Sequence, residues 1–384
     1  MAATGRTRVL IVDDSAVMRS LLRSVIATDA GLEVAGTAAD GATALSAVAL
    51  EHPNLILLDV EMPVMDGLVT LRQLRAQGYK MPVIMCSSLT QRGAKVTIEA
   101  LAGGASDYVA KPTGQAGREQ AIHALAQELI PKIHALTRDS AHALADQQQR
   151  PSLFPAAPRF IAPPASPQPG AQTLPSVPPS VVTIGVSTGG PAALDVLLPE
   201  LPANFPLPVL VVQHMPEVFT KLFAERLARR CRLQVREAWQ GAPASPGTIY
   251  IARGNWHMET LIAPRPGAPP TLHLDQHPPE NHCRPAVDVL FRSAANVYGS
   301  AVLAVVLTGM GCDGLAGCRI IRTQGGSVLA QDQATSTVWG MPGAVAQAGL
   351  ANKVLPLAAI APEILRIAGR AAAAETHNLA TMAV

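Results

Sequence analysis

Between Pro151 and Pro179 the chain places ten prolines. Proline fixes φ, lacks a backbone N–H and is excluded from helix interiors and central strands. Such a stretch divides the 384 residues into two units rather than belonging to either. The composition changes just after Arg138, first to Ala- and Gln-rich sequence and then to the proline run. The expected organisation is a first domain over 1–139, a linker over 140–179, a second domain over 180–372 and a tail over 373–384. In polyproline form, at about 3.1 Å per residue, the linker is a semi-rigid tether along which the domains can dock and separate. A Pro-rich ligand for a binding module calls for a P-x-x-P segment with basic flanks, and none stands out.

The first domain alternates compact apolar strands with helical periodicity. Strands are predicted at 8–12, 32–37, 55–58, 82–86 and 107–110. Helices are expected through Leu21–Ile26, over Gly41–Glu51, from about Asp66-Gly67, over 92–102 and over 117–136. Five such alternations predict a doubly wound α/β domain with a parallel sheet. Asp13, Asp14, Asp59, Ser87 and Lys111 all fall at carboxyl ends of strands, the ligand-binding edge of such a sheet. Three carboxylates gathered there repel unless a hard cation holds them, and Mg²⁺ suits carboxylate oxygens. A lysine and a hydroxyl beside them complete a site for a phosphoryl group.

The segments Val-Asp13-Asp14-Ser, Leu-Leu-Asp59-Val-Glu61-Met-Pro-Val-Met-Asp-Gly and Val-Ala-Lys111-Pro resemble a two-component receiver domain, with its flavodoxin-like (βα)5 fold. The resemblance implies that Asp59 is the phosphoacceptor and that Asp13 and Asp14 bind Mg²⁺ with it, Glu61 adding a backbone carbonyl. It implies that Lys111 pairs with the phosphoryl group, that Ser87 is the hydroxyl that follows it and that Tyr108 moves with Ser87. A histidine kinase is the implied phosphodonor. Phosphorylation adds up to about two negative charges, which bias a two-state element.

In the second domain the alternation resumes. Strands are expected at 181–186, 208–213, 233–237, 248–252, 272–274, 301–307, 327–330 and 353–355. Helices are expected at 192–200, 219–230, 286–298, 315–324, 342–347 and 358–371. A second doubly wound parallel α/β sheet follows. Val181–Val186 runs into Ser187-Thr-Gly-Gly-Pro191, a strand, a sharp turn and a helix opening at proline. Ser187, His214 and Asp313 each follow a predicted strand. A serine needs a base to be a nucleophile, histidine titrates in the right range, and a carboxylate fixes the tautomer of that histidine. Gly185-Val-Ser187-Thr-Gly189 fits G-x-S-x-G, but the order Ser, His, Asp differs from the Ser, Asp, His order of α/β-hydrolases. The turn lacks the P-loop lysine and the full dinucleotide-binding spacing.

The segments Gly-Val-Ser187-Thr-Gly-Gly-Pro, Val-Gln-His214-Met-Pro, Arg284-Pro-Ala-Val-Asp-Val-Leu-Phe, Leu-Thr-Gly-Met310-Gly-Cys-Asp313-Gly and Val-Trp-Gly-Met-Pro-Gly-Ala resemble chemotaxis protein-glutamate methylesterases. The resemblance implies a triad of Ser187, His214 and Asp313, with the Met310 N–H at the oxyanion. It implies hydrolysis of γ-methyl glutamate esters on chemoreceptor cytoplasmic helices to glutamate and methanol, deamidation of receptor glutamines, and no organic cofactor. Three positions depart from the pattern: Cys283 stands where relatives usually have His, Asn255 where they often have Asp, and Gln333 where Glu is usual. These bear on substrate choice rather than on the reaction. His257, His277 and His282 lie near the same segments and are expected in structural or surface roles.

A net charge of +2 and 3% aromatic residues give no basic face and little base stacking, so no nucleic-acid partner is expected. The second domain lacks a helix-turn-helix pattern, which sets aside a DNA-binding regulator. Five irregularly spaced cysteines suit reduced thiols. No signal peptide opens the chain and no apolar run spans a bilayer, so a cytoplasmic protein without direct membrane insertion is expected. A different class of function, a phosphorylation-controlled scaffold with a non-catalytic second domain, would require an idle triad.

Overall fold

The computed structural model describes residues 5–112, 117–148, 177–263 and 265–382, with side chains left aside over 138–148 and 370–382. Most of the proline run, and the tether read from it, lies outside the described residues.

The first domain is a five-stranded parallel sheet in the order β2-β1-β3-β4-β5. Its strands are β1 (Thr7–Val12), β2 (Leu32–Ala38), β3 (Leu55–Asp59), β4 (Val83–Ser87) and β5 (Asp107–Ala110). Its helices are α1 (Ala16–Ile26), α2 (Gly41–Glu51), α3 (Gly67–Ala76), α4 (Gln91–Ala102) and α5 (Arg118–Gln148). Ser15, Asp40, Asp66 and Thr90 cap the first four helices, each accepting a hydrogen bond from a backbone N–H in the first turn. Alternate strand residues enter opposite layers. Leu10 and Val12 pack with α2, α3 and α4, while Val9 and Ile11 pack with α1 and α5. Helix α5 continues past the expected end near Leu136 to Gln148, into the stretch assigned to the linker. Alanine and glutamine are good helix formers, and proline becomes dense only beyond that point.

The second domain is a seven-stranded parallel sheet in the order β14-β13-β12-β6-β7-β9-β8. The strands are β6 (Val181–Val186), β7 (Val209–Gln213), β8 (Gln234–Glu237), β9 (Thr248–Ile251), β12 (Val302–Val306), β13 (Ser327–Gln331) and β14 (Lys353–Leu355). Helices α6 (Gly190–Leu197), α7 (Glu217–Ala228) and α11 (Leu357–Met382) are joined by α8 (Val287–Tyr298), α9 (Leu315–Thr323) and α10 (Met341–Gln347). The first three pack with Val182, Ile184 and Val186, and the other three with Val181, Leu210 and Val212. Helix α11 runs beyond the expected 371 to Met382, within the stretch taken as a tail.

One expectation is corrected. The strand predicted at 272–274 does not join the parallel sheet. It is β11 (Thr271–Asp275), paired antiparallel with β10 (His257–Leu261) in a separate two-stranded sheet. The sequence does not predict β10 because His-Met-Glu-Thr-Leu offers neither an apolar run nor a strict apolar/polar alternation.

From β6 the chain winds to β7, β9 and β8 on one side, then returns to β12, β13 and β14 on the other. The reversal lies between β6 and β12, the crevice where doubly wound sheets bind ligands. The two domains also share a packed cluster. Helix α4 lies against α6 and α7, and Ile98 and Tyr108 of the first domain belong to the same apolar cluster as Phe219 and Phe223.

Candidate active site

Strand β6 is buried throughout and is followed by Ser187, whose backbone N–H donates to Thr308 O at 3.0 Å. The turn after it needs glycine. Gly189 has φ +77°, and a Cβ there would meet Thr337 Oγ1 at 2.3 Å. Gly309 allows a second close approach: a Cβ would lie 2.4 Å from Met341 Sδ and 2.9 Å from Ser187 Cβ. The segment after β12 can therefore pass directly beside the serine.

Val186 of β6 pairs with Gln213 of β7, so Ser187 and His214 follow equivalent positions at the ends of adjacent strands. The Gln213 side chain ties them together, donating to Ser187 O at 3.1 Å and to His214 O at 3.3 Å. His214 Nε2 donates to Asp313 Oδ2 at 2.8 Å. Asp313 is buried and accepts four further hydrogen bonds, from Val287, Asp288 and Gly314 N–H and from Asn281 Nδ2, at 2.7–3.0 Å. Burial opposes its charge, but these donors and His214 hold its carboxyl below the usual value. Burial likewise disfavours a charged His214, yet hydrogen bonds to Asp313 and Cys283 outweigh it and push the ring up to about 9.

With Nε2 committed to Asp313, Nδ1 is the nitrogen left to act as a base. It faces the Cys283 thiol, Sγ to Nδ1 at 3.5 Å. Among the described residues the Ser187 hydroxyl makes no hydrogen bond to the ring, and the Met310 N–H has no hydrogen-bond partner. Catalytic hydrogen bonds are often unmade without substrate.

At the edge of the first sheet, Lys111 Nζ lies 2.7 Å from Asp13 Oδ2 and 2.7 Å from Asp59 Oδ2. Carboxylate oxygens of Asp13, Asp14 and Asp59 lie within 4.8 Å of one another. Burial pushes Asp59 up to about 6 against the effect of Lys111. This all-oxygen donor set, with its own repulsion, fits Mg²⁺. Glu61 is placed differently from its neighbours: its backbone N–H donates to Asp59 Oδ1 at 3.4 Å and its carboxylate pairs with Arg92 at 3.5 Å. Ser87 Oγ donates to Ser88 O at 3.1 Å.

The CheB methylesterase family matches residues 182–364, and the response regulator receiver domain matches residues 9–123. A protein-glutamate methylesterase/protein-glutamine glutaminase of Nocardioides sp. is 49% identical over 94% of this chain and 94% of its own length. The enzyme so named from Trichodesmium erythraeum is 46% identical over 94% of this chain and 99% of its own. That of Azospirillum brasilense is 44% identical over 95% and 93%. The chain belongs to the protein-glutamate methylesterase/protein-glutamine glutaminase family.

In this methylesterase the receiver touches the edge that carries Ser187 directly, and of the residues that do so sequence reasoning singled out Tyr108 and Met310 but not Asp107, Thr188 or Phe219. Thr188, next to Ser187, donates from Oγ1 to Asp107 Oδ2 of β5 at 2.6 Å, and both residues are buried. Tyr108 stacks on Phe219 of α7 with ring centroids 4.7 Å apart. Lys132 donates to Tyr108 O at 2.6 Å and lies 3.6 Å from Asp107 Oδ1. Val338 packs in the same cluster as Leu125 and Leu129 of α5, and Met310 packs against it. Tyr108 thus reaches the second domain.

The departures from the family pattern fall at three places. Asn255 Oδ1 accepts from Arg284 Nη2 at 2.7 Å. Gln333 is exposed. Cys283 alone of the three reaches His214. His257 is buried, its Nδ1 accepting from Ala286 N–H, while His277 and His282 are exposed. All five cysteines are free. No helix among the described residues is long and apolar enough to cross a membrane.

Proposed function

We propose that this protein is a phosphorylation-activated protein-glutamate methylesterase and protein-glutamine glutaminase, with Ser187 as nucleophile, His214 as general base and Asp313 as its orienting partner. Supporting it above all is the 2.8 Å His214–Asp313 hydrogen bond beside a serine at the neighbouring strand end. Ser187 gives its proton to His214 Nδ1 and attacks the γ-carbonyl of a methyl glutamate ester. Asp313 stabilises the resulting imidazolium. The Met310 N–H meets the oxyanion, a contribution worth roughly 10²–10³ in rate. His214 returns the proton to the departing methanol, or to ammonia when the substrate is glutamine. Water activated by the same ring then releases glutamate. The proposed substrates are chemoreceptor cytoplasmic helices, whose extended surfaces suit an open strand edge.

The receiver reading assigns Asp59 as phosphoacceptor, with a chemotaxis-type histidine kinase as donor. Asp13, Asp14 and Asp59, with the Glu61 carbonyl, would hold Mg²⁺, which when bound neutralises charge around the phosphoryl group. Lys111 pairs with that group, and Ser87 turns inward toward it. Tyr108 follows, leaving its stack on Phe219. The Asp107–Thr188 contact then loosens and the site opens to a receptor helix. The organisation into a receiver (1–139), linker (140–179) and methylesterase domain (180–372) belongs to the same proposal.

Methanol release from a methylated receptor, with and without a small phosphodonor, tests the whole reading. Ser187→Ala abolishes release while Asp59 still takes up phosphate. Appreciable turnover by that variant would refute the nucleophile.

A further inference from the structure

The turn that carries Cys283 is held at both ends of the catalytic relay. Glu280 and Cys283 exchange backbone hydrogen bonds, Glu280 N to Cys283 O at 3.1 Å and Cys283 N to Glu280 O at 2.8 Å. Glu280 is clamped by Arg292 through two bonds of 2.5 and 2.6 Å. Asn281, with φ +52°, donates to Asp313 Oδ1 at 2.9 Å and to Asp288 Oδ2 at 3.0 Å. Two residues on, Cys283 sets its sulfur 3.5 Å from His214 Nδ1. One rigid turn therefore engages the carboxylate at one end of the relay and the imidazole at the other. Cys283 is only partly buried, whereas Cys86 and Cys318 are buried.

A thiol against an imidazole that is itself held by a carboxylate has the arrangement of an activated cysteine nucleophile. Its sulfur also occupies the nitrogen that must serve Ser187. We propose that Cys283 is a hydroperoxide-reactive thiol built into the catalytic relay, and that its oxidation to the sulfenic acid switches ester hydrolysis off reversibly. This rests on His214 being the base for Ser187. In the step, His214 Nδ1 takes the thiol proton and the sulfur attacks the near oxygen of the hydroperoxide. The S–O bond forms as the O–O bond breaks. Sulfur is oxidised by two electrons, the peroxide is reduced, and the leaving hydroxide or alkoxide recovers a proton to leave water or an alcohol. The added oxygen lies on the Nδ1 side of the ring, where it competes with Ser187. An added thiol reductant regenerates the cysteine, forming its own disulfide and water.

The test treats the full-length protein with hydrogen peroxide and follows three readouts: methanol release, labelling of Ser187 by a fluorophosphonate, and trapping of sulfenic acid by dimedone, mapped by mass spectrometry. The expected result is dimedone adduct on Cys283 growing as methanol release falls, by roughly 10² or more, the contribution of a general base. Dithiothreitol added in place of dimedone restores the rate. Cys283→Ser keeps its own untreated rate under peroxide. If that variant is too slow to assay, loss of Ser187 labelling in the oxidised native protein carries the same information. The proposal is overturned by adduct on the exposed Cys312 with none on Cys283, by oxidised Cys283 with rate and labelling intact, or by equal peroxide loss in Cys283→Ser. Absence of Ser187 labelling before any peroxide is added would instead refute the serine reading on which the proposal stands.

Discussion

Replacing Thr188 by valine tests how the receiver restrains the catalytic edge. The Thr188 hydroxyl is the donor to Asp107 Oδ2 at 2.6 Å, and the pair is buried between the domains. Valine keeps the volume and removes the donor. Docked, Asp107 Oδ2 then faces an apolar group, while Oδ1 keeps its own Tyr108 N–H at 2.8 Å. Undocked, water satisfies the carboxylate. A hydrogen bond to a charged group contributes about 1.5–3 kcal/mol. Its loss therefore moves the docking equilibrium toward the open form by roughly 10–100-fold, at about 1.4 kcal/mol per tenfold. The measurement is methanol release without phosphodonor divided by release with saturating phosphodonor, which cancels any effect of residue 188 on the chemistry beside it. The ratio should rise until it approaches one. Asp107→Asn should raise it too, and the double variant should gain less than the two singles combined, because they remove one shared contact. An unchanged ratio in Thr188→Val, with a normal phosphorylated rate, would refute the claim that this contact restrains the enzyme.

Three further outcomes follow from the two sites. Asp313→Asn should lower kcat by roughly 10⁴, since the ring loses the partner that fixes its tautomer; a loss under tenfold in a receptor demethylation assay would remove Asp313 from the relay. His214 lies near 9 because the Asp313 and Cys283 hydrogen bonds outweigh burial, and a base must be neutral. Hydrolysis should therefore climb with pH toward about 9, and a rate flat from pH 6 to 8 contradicts this. The folded value lies above the ordinary 6.5 of histidine, so the contribution of His214 to stability is complete below about 6.5 and is lost as pH rises through about 9. Removing divalent cation with EDTA should abolish stimulation by phosphodonor while leaving basal methanol release in place; loss of both would place a metal requirement in the hydrolase itself.

What the sequence revealed and what it withheld divide along a physical line. Asp13, Asp59 and Lys111, and likewise Ser187 and His214, were legible because each follows a compact apolar strand, and a parallel sheet brings such positions to one edge. That inference needs only local pattern and the handedness of strand–helix–strand crossovers. Helix ends were less legible. The Ala- and Gln-rich residues after Arg138 read as linker although they favour helix, and α5 takes them up. That the domains can dock was legible, but which residues meet between them was not. Asp107 and Thr188 lie 81 residues apart, and neither is unusual in its own segment. Their meeting depends on how two finished surfaces pack, which no periodicity encodes. Cys283 falls between these cases. Its identity stood out against the family pattern, but its consequence depends on direction. Asp313 takes Nε2 rather than Nδ1, so the nitrogen that must serve Ser187 is the one the thiol faces. A substitution that reads as a change in the substrate wall is, by geometry, a change in the surroundings of the base.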